Sequence, residues 1–268
     1  MAESPGKSAA DPLAAASSEW PEPVRKIRAR TPARILVGRA GPAYRTETQL
    51  QLREDHAAAR DAVRAELDVN AAFGAGFIER WKLFEVGTRA SSKDEYLQHP
   101  SLGRAFSDAA RAEIVRRCGV GRDVQIAIGD GLSVPAIGAQ VPRLLPLLME
   151  GAQARGWSVG QTFVIHHCRV GIVNEIGELL RPRIVLLLIG ERPGLATAES
   201  LSAYMAYQAD RTHSDANRNL ISNIHGRGLS ADEAAARILN LCGQMMKLRV
   251  SGVTLKEIAG YESESLPT

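Results

Sequence analysis

An uninterrupted apolar run followed at once by a polar loop limits the folds open to this chain. The run, I-V-L-L-L-I, spans residues 184–189, and the loop G-E-R-P-G-L spans residues 190–195. A strand with one face in water alternates apolar and polar residues, whereas a parallel strand covered on both faces is apolar throughout. The run therefore predicts a central strand of an α/β sheet, and the Pro-Gly pair predicts an abrupt turn after it.

The loop after this strand contains the residue types of a ligand-binding edge, because ligands of open α/β sheets bind at the carboxyl ends of the strands. We expect Gly190 to let a ligand approach the backbone, Glu191 to accept hydrogen bonds and Arg192 to donate them to an anion. An ordinary strand-to-helix connection with a surface ion pair explains the same residues equally well. The loop alone leaves both interpretations open.

Composition argues against several classes of protein. The 268 residues include 33 basic and 30 acidic side chains, and a net charge of +3 is too balanced to indicate nucleic-acid binding. The three cysteines are far apart in the sequence, which predicts a reducing compartment and no disulfide framework. No apolar run approaches the roughly 18 residues of a membrane span, and the first residues lack the apolar core of a signal peptide. We expect a cytoplasmic protein with neither a membrane nor a nucleic-acid partner.

Composition and the pattern of apolar residues divide the chain into three parts. Residues 1–29 are rich in Ala, Ser and Pro, which predicts a flexible tail. Residues 30–118 contain helical patterns, which predict a smaller, mainly helical N-terminal region. Residues 119–268 alternate apolar strands with helices, which predicts an α/β fold with a Rossmann-like, mostly parallel sheet and flanking helices. The predicted strands are residues 124–128, 162–170, 183–189 and 202–207.

Two helices of the third part have distinct local signals. Pro135 suits the start of the helix after the first strand, whereas Pro142 and Pro146 predict a break in it around residues 141–145. Ser230 and Glu233 form a capping box that begins the last helix. The apolar residues of that last helix lie at helical spacing on one face, so we expect it to cover the core.

Nucleotide-binding and catalytic motifs are absent. The glycines after the first strand have the wrong spacing for G-x-G-x-x-G, and no G-x-x-x-x-G-K-[ST] occurs, which disfavours NAD or a nucleoside triphosphate. Asp130 and Glu191 would line one crevice if their strands are neighbours, but hydrogen bonding to turn amides explains such carboxylates too. On a strand, His166 and Cys168 share a face while His167 points away, which is too few ligands for zinc.

Eight short motifs, in order along about residues 30–253, resemble the small subunit of ethanolamine ammonia-lyase. Any one of them is weak, but the series is specific. The motifs are R-T-P-A-R-I-L-V-G-R-A-G-P (30–42), D-H-A-A-A-R-D-A-V (55–63), D-G-L-S (130–133), E-I-G-E-L-L (175–180), I-G-E-R-P-G-L (189–195), A-E-S-L-S-A-Y (198–204), I-S-N-I-H (221–225) and E-A-A-A-R-I (233–238).

This resemblance implies a non-catalytic partner of a large barrel subunit in an adenosylcobalamin-dependent lyase. Such a lyase converts ethanolamine to acetaldehyde and ammonia, and its cobalamin lies between the two subunits. The family implies a hetero-oligomer with six copies of each subunit, in the cytoplasm or inside a bacterial microcompartment. It also assigns no catalytic residue to this chain, since the cofactor supplies the radical chemistry.

Three positions match the cobalamin contacts of the family. Val170 in C-R-V and Glu191 in G-E-R-P-G-L carry the family's residues, whereas Leu220 stands where the family has a cysteine. Leucine keeps apolar contact but has no thiol. Cys168, where the family usually has glycine, adds a side chain beside Val170, and Gly129 often corresponds to a serine.

Two other functions remain compatible with the residues. A stand-alone Rossmann-like enzyme would act on a small polar substrate with Asp130, Glu191 and Arg192, and it would need no cobalamin. A diverged assembly subunit would keep the large-subunit partner but would have lost corrin binding, as Cys168 and Leu220 allow.

Overall fold

The structure is a computed structural model that describes residues 21–31, 33–35 and 37–256. The chain forms two compact units, each with most of its contacts within itself; the first ends at Arg53 and the second begins at Glu54. Of the predicted tail, residues 1–20 lie outside the described residues. Within the described residues, no helix is long and apolar enough to cross a membrane.

The first unit contains a helix and a small hairpin. Helix α1, Glu22–Ala29, lies within the interval predicted as a tail, and none of its residues is buried. Strands β1, Arg39–Ala40, and β2, Ala43–Tyr44, pair antiparallel on either side of Gly41, whose φ of 62° is easily adopted only by glycine.

After three consecutive helices, helices and strands are interleaved up to Gly190, and the described residues also include short 3-10 turns at Leu102–Arg104 and Asp215–Asn217. The helices and strands that follow the hairpin are α2 (Thr46–Arg64), α3 (Val69–Phe73), α4 (Ala75–Trp81), β3 (Phe84–Gly87), α5 (Lys93–Gln98), α6 (Asp108–Arg117), β4 (Val124–Gly129), α7 (Val134–Ala154), β5 (Phe163–His166), α8 (Ile172–Leu180), β6 (Ile184–Gly190), β7 (Leu201–Tyr207), β8 (Asn219–Ile224) and α9 (Ala231–Leu248).

Six of these strands form one mixed sheet in the order β3-β5-β4-β6-β7-β8. The first four strands are parallel, and β7 and β8 run antiparallel to their neighbours. The α/β class and the positions of the four predicted strands are therefore confirmed, although the second strand ends at His166 instead of Val170, so Cys168 lies in a loop; β3 and β8 escaped prediction. Strand β3 has only four residues, and β8 alternates irregularly between buried and exposed residues.

Both faces of the central strands are buried, as the apolar run predicts. Ile184, Leu186 and Leu188 of β6 pack into a core with α7 and α9, whereas Val185 and Leu187 pack into a second core with α6 and α8. Alternate side chains of one strand thus enter opposite layers, so no position of the run can be polar.

Helix α7 contradicts one sequence prediction. It continues from Val134 to Ala154 through Pro142 and Pro146 without the predicted break. Its buried face, which includes Leu144 and Leu145, is fully covered by the core. Because this burial stabilises the helix more than the two missing backbone hydrogen bonds destabilise it, tertiary packing overrides the local effect of proline. The capping box of Ser230 and Glu233 is present at the start of α9, as predicted.

Candidate functional site

The candidate site is a cavity of about 390 Å³ at the carboxyl ends of the parallel strands. The chain leaves β4 through α7 to reach β5 on one side, and it returns through α8 to β6 on the other side of β4. Such a reversal opens a crevice between the loops that follow the two strands. The loops after β4, β5 and β6 and the outer strands β7 and β8 line the cavity.

All three site residues taken from the resemblance border this cavity. Val170 lies in the loop after β5, Glu191 directly follows β6, and Leu220 lies on β8. Leu220 is 45% exposed, which is high for a leucine, whereas Val170 and Glu191 are partly buried. Residues from three separate segments therefore meet on one concave surface, with two apolar side chains and one carboxylate.

The Glu191 carboxylate joins the ends of three strands. Its Oε1 accepts hydrogen bonds from the hydroxyl of Ser202 at 2.5 Å and from the backbone N–H of Asn223 at 2.9 Å. Its Oε2 accepts one from the hydroxyl of Ser200 at 2.9 Å. A carboxylate can accept about four hydrogen bonds, two on each oxygen. Oε2 of Glu191 can therefore accept one more hydrogen bond, for example from a ligand.

Gly190 lines the cavity and is also closely packed against the turn after β4. A side chain at this position would overlap with the carbonyl oxygen of Ser133 and would lie 2.7 Å from that of Asp130. The space beside Gly190 is therefore filled by the turn after β4, and the backbone of Leu132 donates a hydrogen bond to the Gly190 carbonyl at 3.1 Å. Glycine is needed here for the close approach of two loops, whereas ligand approach to its backbone stays a prediction.

Asp130 is fully buried and does not border the cavity among the described residues. Its two carboxylate oxygens accept the backbone N–H groups of His167 at 2.9 Å and Cys168 at 2.7 Å. The buried ammonium of Lys93 lies 3.5 Å from the same carboxylate. Asp130 thus fixes the backbone directly after β5, in the loop that contains Val170. Hydrogen bonding to turn amides was one of the two roles that the sequence allowed for this carboxylate.

Cys168 and Gly129, two departures from the family pattern, fit each other. A side chain on Gly129 would lie 2.5 Å from Cys168 Sγ and 2.8 Å from Cys168 Cβ. The cysteine side chain therefore fills the space that a larger residue at position 129 would need. Burial raises the pKa of the Cys168 thiol well above its ordinary value, so it stays protonated and unreactive.

The two histidines beside Cys168 have partners of their own. His166 Nε2 lies 2.7 Å from Glu85, and the ring of His167 contacts the Ala90 carbonyl at 3.1 Å and Glu66 at 3.1 Å. No group of three or more metal-ligating side chains occurs among the described residues. This segment is a structural corner, in which His167 adopts a positive φ of 57°.

Other cavity residues escaped sequence analysis. The Arg169 guanidinium lies 4.4 Å from the centre of the Tyr96 ring, and the Tyr96 hydroxyl donates to the Cys168 carbonyl at 2.8 Å. The Nε of Arg169 is buried and has no hydrogen-bond partner in the described structure. Ser202 and Tyr204 also line the cavity, and their two-residue spacing on β7 is a signal that could have revealed a shared face.

Fold and cavity together define an α/β protein with a concave site at the carboxyl edge of a mixed sheet. Residues 21–256 match the family described as Ethanolamine ammonia-lyase light chain (EutC). The chain therefore belongs to the ethanolamine ammonia-lyase small-subunit family, and its class of activity is that of an ammonia-lyase subunit.

Relatives from several bacteria support this assignment over most of their length. The ethanolamine ammonia-lyase small subunit of Clostridioides difficile (strain 630) is 43% identical over 230 residues, which cover 86% of this chain and 76% of the relative. That of Clostridium acetobutylicum is 40% identical over 235 residues, covering 88% and 95%. That of Listeria monocytogenes serovar 1/2a is 40% identical over 231 residues, covering 86% and 77%.

Proposed function

We propose that this chain is the small subunit of an adenosylcobalamin-dependent ethanolamine ammonia-lyase and that its cavity holds one edge of the corrin. The overall reaction is the conversion of ethanolamine to acetaldehyde and ammonia. The observation that carries the proposal is the convergence of Val170, Glu191 and Leu220 on one cavity, because the three were selected from separate sequence motifs. When bound, the cofactor supplies the radical chemistry of the reaction.

The chemical character of the cavity fits the edge of a corrin, which alternates apolar surface with amide side chains. Val170 and Leu220 offer apolar contact. The remaining acceptor position on Glu191 Oε2 suits an amide N–H, and the unpartnered Nε of Arg169 suits an amide carbonyl. The described cavity is too small to enclose a whole corrin, so it would cover one edge only.

The same arrangement supports a binding role rather than a chemical one for this chain. Asp130, the other carboxylate considered from the sequence, is buried behind the loop of Val170 and is occupied by backbone amides. Glu191 already accepts three hydrogen bonds. We therefore assign no catalytic residue to this chain. The alternative of a stand-alone enzyme needs Asp130 and Glu191 in one cavity, and of these two only Glu191 lines it.

The proposal includes a large catalytic barrel subunit that covers the open side of the corrin. By resemblance, the complex is a hetero-oligomer with six copies of each subunit, located in the cytoplasm or inside a bacterial microcompartment. We also propose that β4, α7, β5, α8 and β6 wind in a Rossmann-like manner and that residues 119–268 form the cofactor-binding domain. The opposite placement of α7 and α8 on the two faces of the sheet supports this winding.

Co-expression with a large subunit tests the proposal. We expect a stable complex that deaminates ethanolamine only when adenosylcobalamin is added, and whose visible cobalamin spectrum changes on binding. Absence of complex and activity would refute the function as a whole. A stable complex that leaves the cobalamin spectrum unchanged would instead identify a diverged assembly subunit.

A variant of Glu191 tests the site itself. We expect Glu191→Ala to weaken cobalamin affinity by about tenfold while turnover with saturating cofactor changes less, because the residue positions the cofactor and does not react. The matched control is Glu199→Ala, since Glu199 is an exposed glutamate of the same loop that does not border the cavity. Unchanged cobalamin affinity in Glu191→Ala would contradict the assignment.

A further inference from the structure

A second concave surface, here called the arginine pocket, is lined by residues that adjoin those of the candidate cofactor cavity in the sequence. Val170 lines the cofactor cavity, and Gly171, the next residue, lines the arginine pocket. The pocket has a volume of about 550 Å³, and the two share no lining residue. Its charged side chains are Arg89, Arg104, Arg111, Arg211, Arg218, Glu175, Glu178 and Asp215.

Three of the five arginines are neutralised by carboxylates of the same pocket. Arg111 pairs with Glu175 at 2.5 Å, Arg211 pairs with Glu178, and Arg218 pairs with Asp215. The guanidinium groups of the other two, Arg89 and Arg104, form no ion pair or hydrogen bond with any described residue. The pocket therefore carries two positive charges in excess of its carboxylates.

Two buried nitrogen atoms at this pocket have no partner in the described part of the chain. The Arg218 side chain is only 5% exposed, and its Nε makes no hydrogen bond, although its terminal nitrogen donates to Asn174 Oδ1 at 2.9 Å. His213 Nδ1 is buried and unpartnered as well. A buried guanidinium N–H without an acceptor is costly, so the hydrogen-bonding capacity of these pocket residues is not filled by the described part of the chain.

We propose that the arginine pocket binds a phosphate group, either as free phosphate or as the monoester of a small organic molecule. A phosphate dianion matches the two excess charges, and its several oxygens can accept from the fork-shaped guanidinium groups. Arg89 and Arg104, whose side chains are exposed, supply the charges that no carboxylate of the pocket neutralises. The pocket is larger than a bare phosphate, which leaves room for the organic part of an ester.

Calorimetric titration of the full chain tests this site without the large subunit. Inorganic phosphate and glycerol 3-phosphate are titrated in turn, with chloride at matched ionic strength as the reference. We expect saturable binding of at least one phosphate compound and none of chloride. An affinity for glycerol 3-phosphate about tenfold above that for phosphate identifies the ester as the source, whereas equal affinities identify free phosphate.

The double variant Arg89→Gln, Arg104→Gln localises the binding. Both side chains are exposed and unpaired, so the free energy of unfolding should hardly change, while phosphate affinity should fall by about tenfold or more. Arg60→Gln, at an exposed arginine outside both cavities, is the control and should bind as the unmodified chain does. Binding no stronger than that of chloride, or equal affinity in the double variant, overturns the proposal.

Cobalamin titration of the co-expressed complex separates this inference from the proposed function. The double variant should bind cobalamin as the unmodified complex does, because neither arginine borders the cofactor cavity. Failure of cobalamin binding in the unmodified complex would refute the cofactor site and leave the phosphate result standing. A loss of cobalamin affinity caused by the double variant would overturn the claim of a separate site.

Discussion

The parallel and antiparallel halves of the sheet are held in different ways. Strands β4 and β6 are buried at every position and are covered by helices on both faces. Strand β8, at the antiparallel edge, has exposed residues at three of its six positions. Packing on both faces therefore positions the parallel half, whereas the antiparallel half is joined to β6 by the ladder with β7 and by hydrogen bonds that Glu191 accepts from Ser202 and Asn223.

The candidate cofactor cavity lies where these halves meet, and this location explains its mixed lining. The parallel half contributes tight turns, in which Gly190 and Asp130 leave little freedom for the backbone. The antiparallel half contributes side chains that face outward, such as Leu220. Substitutions in the parallel half should thus affect stability most, and those at the antiparallel edge should affect ligand binding most.

The largest expected effect is that of Gly190→Ala. The new methyl group would overlap with the Ser133 carbonyl, and backbone atoms cannot yield as a flexible side chain can, so we expect a loss of more than about 3 kcal/mol in the free energy of unfolding. Urea denaturation measures it. The control is Gly87→Ala at the end of β3, where no atom lies within 4 Å of the added group. Equal losses in the two variants would disprove the close-packed turn.

The next effect concerns the buried pair of Asp130 and Lys93. Asp130→Asn weakens two charge-assisted hydrogen bonds and leaves the Lys93 ammonium buried without its counter-ion, so we expect a loss of about 3 kcal/mol. Adding Lys93→Met should restore part of this loss, because the unpaired charge is then removed. Denaturation of both single variants and the double variant measures the coupling. Strictly additive losses would show that the two residues do not interact.

The difference between the halves also explains which features the sequence could predict. The run from Ile184 to Ile189 is apolar because both of its faces are buried, and that cause is visible in the sequence itself. Strand β8 is stabilised by pairing with β7, and its own residues alternate irregularly, so no local period reveals it. Helix α7 shows the same limit, since its prolines predict a break that the packing of distant residues prevents.

The candidate site was predictable only where it lies within a motif. The loop containing Glu191 follows a recognisable strand, and the resemblance added Val170 and Leu220. Tyr96 and Arg169 remained hidden, because their contact joins segments more than 70 residues apart and depends on the fold. The close packing of Gly190 was not predicted for the same reason, since the turn that approaches it belongs to another loop.

A smaller loss of stability is expected for Glu191→Ala, which removes three hydrogen bonds at the junction of the halves. Because the donors can turn to water at this partly exposed place, we expect about 2 kcal/mol rather than the full cost of three buried donors. Glu199→Ala should change the free energy of unfolding by less than about 0.5 kcal/mol. An equally small change in Glu191→Ala would mean that the ladder between β6 and β7 and the core packing connect the halves without this carboxylate.

We expect the smallest change in stability for Leu220→Thr. This variant should also distinguish best between an effect on stability and an effect on ligand binding. Threonine suits a strand, and a side chain that is 45% exposed contributes little to the core, so unfolding should change by less than about 0.5 kcal/mol. Cobalamin affinity of the assembled complex should fall several-fold, because apolar contact with the ligand is lost. Denaturation of the chain and spectral titration of the complex measure the two effects. A loss of stability with unchanged affinity would assign Leu220 to the core of the antiparallel half rather than to the cofactor cavity.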